Sequence, residues 1–228
     1  MPVVDLATTP LRELNASLHR LGPDTNETHW RVLHPRGAHS VAVGINAAVT
    51  VEIDGHVGYY CAGMNQQATV IVHGNAGQGV AENIMSGEVR VTGDASQAAG
   101  ATGCGGLLVI DGNASARCGI SMKGVDIVVK GSVGHLSAFM GQAGNLVVLG
   151  DAGEALGDSI YEARLYVRGR VKSLGADCIE KPMNDYHKAE LRRLLDASGV
   201  NGADLSAFRR YGSARRLYNF HIDNVGSY

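Results

Sequence analysis

Residues 87–115 read GEVRVTGDASQAAGATGCGGLLVIDGNAS, and within them VRVTGDAS comes round again as LVIDGNAS. Glycine this dense either cradles phosphate or lets the backbone turn tight corners, and spacing decides between the two. Working outward, the glycine after each short aliphatic run falls at Gly55, Gly74, Gly93, Gly112, Gly131, Gly150 and Gly169, always 19 residues apart. Four residues earlier stand Val51, Val70, Val89, Leu108, Ile127, Leu146 and Leu165, and two residues earlier Ile53, Val72, Val91, Ile110, Val129, Val148 and Val167. Two residues later come only small side chains: Val57, Ala76, Ala95, Ala114, Val133, Ala152 and Val171.

Alternation at period two that ends on a glycine is a short strand with one face inward. A unit of 19 residues is too short for a helix pair but suits one coil of a solenoid in which like residues stack. The expected fold is therefore all-β: a right-handed parallel β-helix of about seven coils, with short helical N- and C-terminal extensions. At ~4.8 Å per coil the prism would be roughly 30 Å long. The glycines are read as structural corners with positive φ, where only glycine escapes a steric cost. Phosphate motifs fail in detail: HGNAGQG (73–79) is followed by no long helical pattern, and GISMKGV (119–125) lacks the G-K-[ST] ending of a P-loop.

Three segments follow: 1–48 as N-terminal helix and cap, 49–180 as β-helix, and 181–228 as helical C-terminal cap and tail. LRELNASLHRL (11–21) reads as a helix of about three turns, with Thr9 as N-cap and Pro10 first inside. WRVLH (30–34) and HSVAVG (39–44) read as irregular strands leading into the first coil. NDYHKAELRRLLDASG (184–199) sets Leu191, Leu194 and Leu195 on one helical face, with Gly199 past its end. DLSAFRRYG (204–212) reads as a second short helix, capped by Asp204 and stopped by Gly212.

Bulk properties narrow the function. Hydrophobic residues make up 45% of 228, enough for a substantial core, and glycine, at 31 residues, is about twice its usual ~7%. A net charge of −2 leaves no footprint for nucleic acid or anionic lipid. The start lacks a signal-peptide pattern and no apolar run approaches the ~18 residues of a membrane span, so a cytoplasmic location is expected. Cys61, Cys104, Cys118 and Cys178 form no C-x-x-C pair and are expected as free thiols. Cys61 and Cys118 share a register position three coils apart, roughly 14 Å, too far for a disulfide.

No catalytic, cofactor-binding or metal-ligating residue is expected. His56, His73 and His135 fall at different register positions in different coils. Asp54, Asp94, Asp111 and Asp151 sit beside corners, where aspartate supports turns, although an Asp94–Asp111 carboxylate pair would be conceivable. The outward column three residues before the glycine is the exception to a polar surface: Glu52, Ile71, Arg90, Val109, Val128, Val147 and Tyr166. Three consecutive valines there call for a cover, either a partner chain or the protein's own terminal helices. Candidate interface residues are therefore Val109, Val128 and Val147, together with Arg215, Arg216, Tyr218 and Phe220 in a tail of interface-like composition. That tail could equally pack on the solenoid.

The V-x-V-x-G-[DNS]-x-[GS] repeats, with ATGCGG (101–106) and GGLLVIDGNA (105–114), resemble the C-terminal glycine-repeat (G-x-G-x-G) domain of glutamate synthase large subunits over residues 45–180. A related domain occurs in formylmethanofuran dehydrogenase, a second family to which the chain could belong. FRRYGSARRLYNFHIDN (208–224) extends the resemblance to the stand-alone middle subunit of N-methylglutamate synthase, a methylamine–glutamate N-methyltransferase. The resemblance implies a structural subunit of a complex converting methylamine and L-glutamate to N-methylglutamate and ammonia. It implies two partners: a class II glutamine-amidotransferase-like subunit, since Pro2 stands where a nucleophilic cysteine would be, and a synthase subunit holding FMN and an iron–sulfur cluster. An independent β-helix enzyme fits less well, because polysaccharide-active solenoids need an aromatic-lined acidic groove and aromatics here are 5%.

Overall fold

The computed structural model describes residues 1–215. In chain order these form β1 (Val3–Asp5), α1 (Leu11–His19), β2 (His29–Leu33), β3 (Thr50–Asp54), β4 (Thr69–Val72), β5 (Glu88–Val91), β6 (Leu107–Ile110), β7 (Lys123–Val129), β8 (Ala143–Val148), β9 (Arg164–Val167), β10 (Cys178–Lys181), α2 (Asp185–Ala197), a 3₁₀ turn (Leu205–Ala207) and β11 (Arg209–Ser213). One sheet holds all eleven strands in the order β1 to β9, then β11, then β10, and every neighbour pair from β1 to β9 is parallel. The chain is thus a β-solenoid of about seven turns.

The register follows the 19-residue spacing. Val51, Val70, Val89, Leu108, Ile127, Leu146 and Leu165 stand opposite one another across β3 to β9, all fully buried. A second wall is a line of single parallel bridges, Val57 to Ala76 and on through Ala95, Ala114, Val133 and Ala152 to Val171. Between these walls like side chains stack on like, which is why a narrow column accepts alanine and valine.

The corner glycines do a different job from the one expected. Of the seven, only Gly55 has positive φ (+133°). The other six are needed for close approach: a Cβ on Gly112 would lie 2.7 Å from the Gly93 carbonyl oxygen, one on Gly131 2.6 Å from that of Gly112, and one on Gly169 2.3 Å from that of Gly150. Each glycine therefore makes room for its neighbour in the stack.

Left-handed backbone occurs instead on the third wall, in three columns that mostly are not glycine. They are Tyr60, Gly79, Ala98, Arg117, Leu136, Ala155; then Ala62, Ala81, Gly100, Gly119, Ala138, Gly157; then Met64, Asn83, Thr102, Ser121, Met140, Ser159, with φ between 53° and 69°. A non-glycine residue there loses about 1–2 kcal/mol. The compensation is hydrogen bonding between coils. In the first column the amide points to the next coil (Arg117 to His135 O, 2.9 Å), in the second to the previous one (Ala138 to Cys118 O, 2.7 Å), and in the third to the next again (Ser121 to Phe139 O, 2.8 Å). Alternating the sign of φ flips successive peptides, so a wall without regular strand still satisfies its buried polar groups.

Both ends are closed by elements of other kinds. α1 buries Leu14 and Leu18 in the solenoid core, while Asn15 bonds Ser40 O (2.8 Å) and the Ala42 amide (3.1 Å). Its N-cap is Pro10, without a side-chain cap bond, so Thr9 does not play that part. HSVAVG is no strand but the turn wall of the first coil, with Ser40, Ala42 and Gly44 left-handed. At the other end β11 pairs antiparallel with both β9 and β10. The second helix expected over 204–212 is therefore only the 3₁₀ turn, capped by Asp204, and Gly212 lies inside β11. The unpaired edge of β9 captured the segment, because an open strand edge offers it a full set of hydrogen bonds.

Candidate functional site

Side-chain columns run along the prism, and any chemistry would have to arise where they converge. The first follows the corner glycines: His56, Asn75, Asp94, Asn113, Ser132, Asp151 and Arg170. Each of the first six accepts, through its side chain, the backbone N–H of the next member at 2.7–2.9 Å. This polar ladder ties every coil to its neighbour from β3 to β9. Its signal is present in the sequence, since six short acceptors recur at the corner spacing, although corner position alone marks only Asp94 and Asp151 as turn residues. At its end a groove of about 540 Å³ is lined by Ser132, Asp151, Gly153, Arg170 and Lys172, among others. The groove's cations are both paired, Arg170 with Asp151 across it at 3.6 Å and Lys172 with Glu154 outside its lining at 2.8 Å.

The ladder also separates the conceivable acid pair. Asp94 accepts from the Asn113 amide and its side chain (2.7 and 3.1 Å), whereas Asp111 faces Lys130 at 2.7 Å and Arg90 at 4.0 Å. The histidines likewise go to different partners. His56 serves the ladder, and His73 joins His29 on the two oxygens of Glu52 (3.1 and 2.9 Å). His135 is exposed three coils beyond His73.

All four cysteines are free. Burial pushes the Cys61 and Cys118 thiols up to about 12 and Cys178 to about 11, so these three are protonated, inert packing groups at neutral pH. Cys104 is exposed on the turn wall, where Met64, Met85 and Met140 are also exposed. An open groove of about 400 Å³ there is lined by Lys123, Met140, Gln142, Ala143, Tyr161 and Glu162. Among the described residues no three His, Cys, Asp or Glu side chains are arranged to hold a metal ion, and no helix is long and apolar enough to cross a membrane.

The outward strand column is where the sequence asked for a cover, and the protein supplies it. Val109, Val128, Val147 and Tyr166 are fully buried. Val128, Val147 and Tyr166 pack with Leu149, Phe208 and the Leu191, Leu194 and Leu195 face of α2 into a second core. The three valines expected as an interface are thus sealed inside the chain, Val128 and Val147 of them beneath the apolar face of α2. Arg215 is an exposed residue paired with Asp177. Arg216, Tyr218 and Phe220 lie outside the described residues.

Polar contacts fix the cover along its length. Glu190, with its side chain only 11% exposed, takes the Arg164 guanidinium and the Tyr166 hydroxyl at 2.6 Å each. Burial and that carboxylate push the Tyr166 phenol pKa up, keeping it a hydrogen-bond donor. Arg193 pairs with Asp126 at 2.8 Å, and Arg90 reaches the last carbonyls of the helix, Ser198 O at 3.2 Å and Ala197 O at 3.4 Å. Leucine spacing alone carried no sign of these partners, which lie up to 108 residues away in sequence.

No model of a known protein family matches the chain. It is similar to the curated Protein GlxC of Rhizobium meliloti (strain 1021), with 65% identity over 228 residues that cover all of both chains. At that identity and coverage the chain belongs to the family of GlxC.

Proposed function

We propose that this chain is the β-solenoid scaffold subunit of a glutamate synthase-like complex of the N-methylglutamate synthase type. In this reading it packs between a class II glutamine-amidotransferase-like subunit and a synthase subunit that holds FMN and an iron–sulfur cluster. The complex converts methylamine and L-glutamate to N-methylglutamate and ammonia, and the reacting groups belong to the partners. The observation that carries the reading is the continuous ladder from His56 to Arg170 beside a glycine column with no room for a Cβ. Such a prism resists bending, and two active sites that exchange a small amine gain effective concentration only while their spacing is held. Membership in the GlxC family and the resemblance of residues 45–180 to the glutamate synthase glycine-repeat domain support the same assignment.

Purification of the tagged chain from its native host tests this. The expected result is two unlike co-purifying chains, one with flavin and iron–sulfur absorbance, whose joint N-methylglutamate synthesis drops when this chain is left out. Full activity from the other two alone would remove the scaffold role. Recovery of molybdenum- or tungsten-enzyme chains instead would move the protein to a formyl-transfer complex.

A further inference from the structure

The head of α2 is closed by an unusual capping box. In such a box the third helical residue is typically Glu or Gln, which accepts from the N-cap amide. Here it is His187: its Nδ1 accepts from the Asn184 N–H at 3.3 Å, while its own backbone N–H donates to Asn184 Oδ1 at 3.1 Å. An imidazole accepts at Nδ1 only when that nitrogen carries no proton. The groups facing it are mostly cationic. Arg164 comes from β9 and Arg210 from β11, with Glu190 one helical turn on as the single opposing charge and the Tyr186 ring edge-on at 5.6 Å. Glu190 is already engaged by Arg164 and Tyr166, and on the same turn Asp185 and Lys188 pair with each other at 3.7 Å. The positive end of the helix dipole adds to the opposition. Partial burial first, then Arg210 and Arg164, hold the His187 imidazole below the ordinary histidine value, against a weaker pull from Glu190.

We propose that α2 carries an acid-sensitive latch: when His187 takes a proton from solvent at Nδ1, the Asn184 amide loses its acceptor and the first helical turn, residues 185–188, opens. Leu191, Leu194 and Leu195 stay seated on the apolar column, so the cover loosens from its β9 end rather than detaching. The latch is closed at neutral pH and opens on the acid side of the ordinary histidine value. It stands independently of the scaffold assignment.

Residue-resolved hydrogen exchange on the full chain between pH 7.5 and 5.0 tests it, with rates corrected for intrinsic pH dependence and the Leu194 and Leu195 amides as internal reference. Protection of the Lys188 amide relative to that reference should fall roughly five-fold, the size of a lost cap, in step with the His187 imidazole titration followed by NMR. His187→Gln keeps an acceptor without a titrating proton, so its relative protection should stay high and flat across the range. His187→Ala should be low at both ends. A His187→Gln chain that still loses protection in acid would overturn the latch, as would a wild-type profile that stays flat through the His187 titration.

Discussion

The same outward column behaves in opposite ways along the sheet. On β6 to β9 it presents Val109, Val128, Val147 and Tyr166, all fully buried, the last three in the core that α2 closes. On β2 to β4 it presents Arg31, Glu52 and Ile71, which remain partly or largely exposed. There Arg31 pairs with Asp54 at 2.7 Å, and His29 and His73 hold Glu52. Backbone geometry is common to both halves, so side chains alone decide whether this face is sealed or wet. Arg90 marks the border, with Glu88 beside it at 3.0 Å and the end of α2 above it. A solenoid therefore regulates its surface coil by coil without altering its interior.

The sharpest way to break the comparison is to put the same charge into both halves. Val147→Asp buries a carboxylate under α2 with no cation placed for it, and should lower stability by about 3–5 kcal/mol in urea unfolding. Ile71→Asp, at the equivalent register in the wet half, should stay within about 0.5 kcal/mol. Equal losses at the two sites would mean that α2 does not seal its half. The stack itself should be indifferent to the division. Gly74→Ala and Gly131→Ala each drive a Cβ into the preceding glycine, and both should cost about 3 kcal/mol. A harmless alanine at either place would contradict the close stacking.

Glu190→Ala probes the lock of the sealed half. It strands the Tyr166 hydroxyl and takes the carboxylate from Arg164, and should cost about 2 kcal/mol while hydrogen exchange in α2 accelerates. The smallest effect belongs to Glu52→Gln, about 0.5 kcal/mol or less, because its ion pairs are partly solvated. Its pH signature is more informative. Hydrogen bonds from His73 and then His29 hold the Glu52 carboxyl below its ordinary value of 4.5. A group depressed in this way contributes stability above that value and loses it as pH falls through the folded pKa. The wild type should therefore lose a small increment in that acid window that Glu52→Gln lacks. Matching acid limbs would show that the pair has no folded-state preference.

The solenoid was legible because every coil repeats the same short-range decisions. Val70, Val72 and Ala76 announce what Val89, Val91 and Ala95 then say again, and the eye needs only the interval. What the glycines are for was not legible. A residue without a Cβ suits a left-handed turn and a close contact equally well, and only the stacked backbones reveal that Gly112 serves the second. The left-handed columns were missed for the converse reason, since Tyr60, Arg117 and Leu136 show no intrinsic liking for positive φ and adopt it because hydrogen bonds from flanking coils over-determine it.

The amino-acid order by itself determined the interval, the inward-facing columns and hence the architecture, since periodic burial is a local property that no distant segment has to supply. Tertiary structure decided the rest: that α2 rather than another chain covers the valines, that RRYGS becomes a strand on the edge of β9, and that Glu190 meets Tyr166. Those outcomes join residues far apart in sequence. Each depends on which apolar surface or open edge is left unoccupied once the coils have formed.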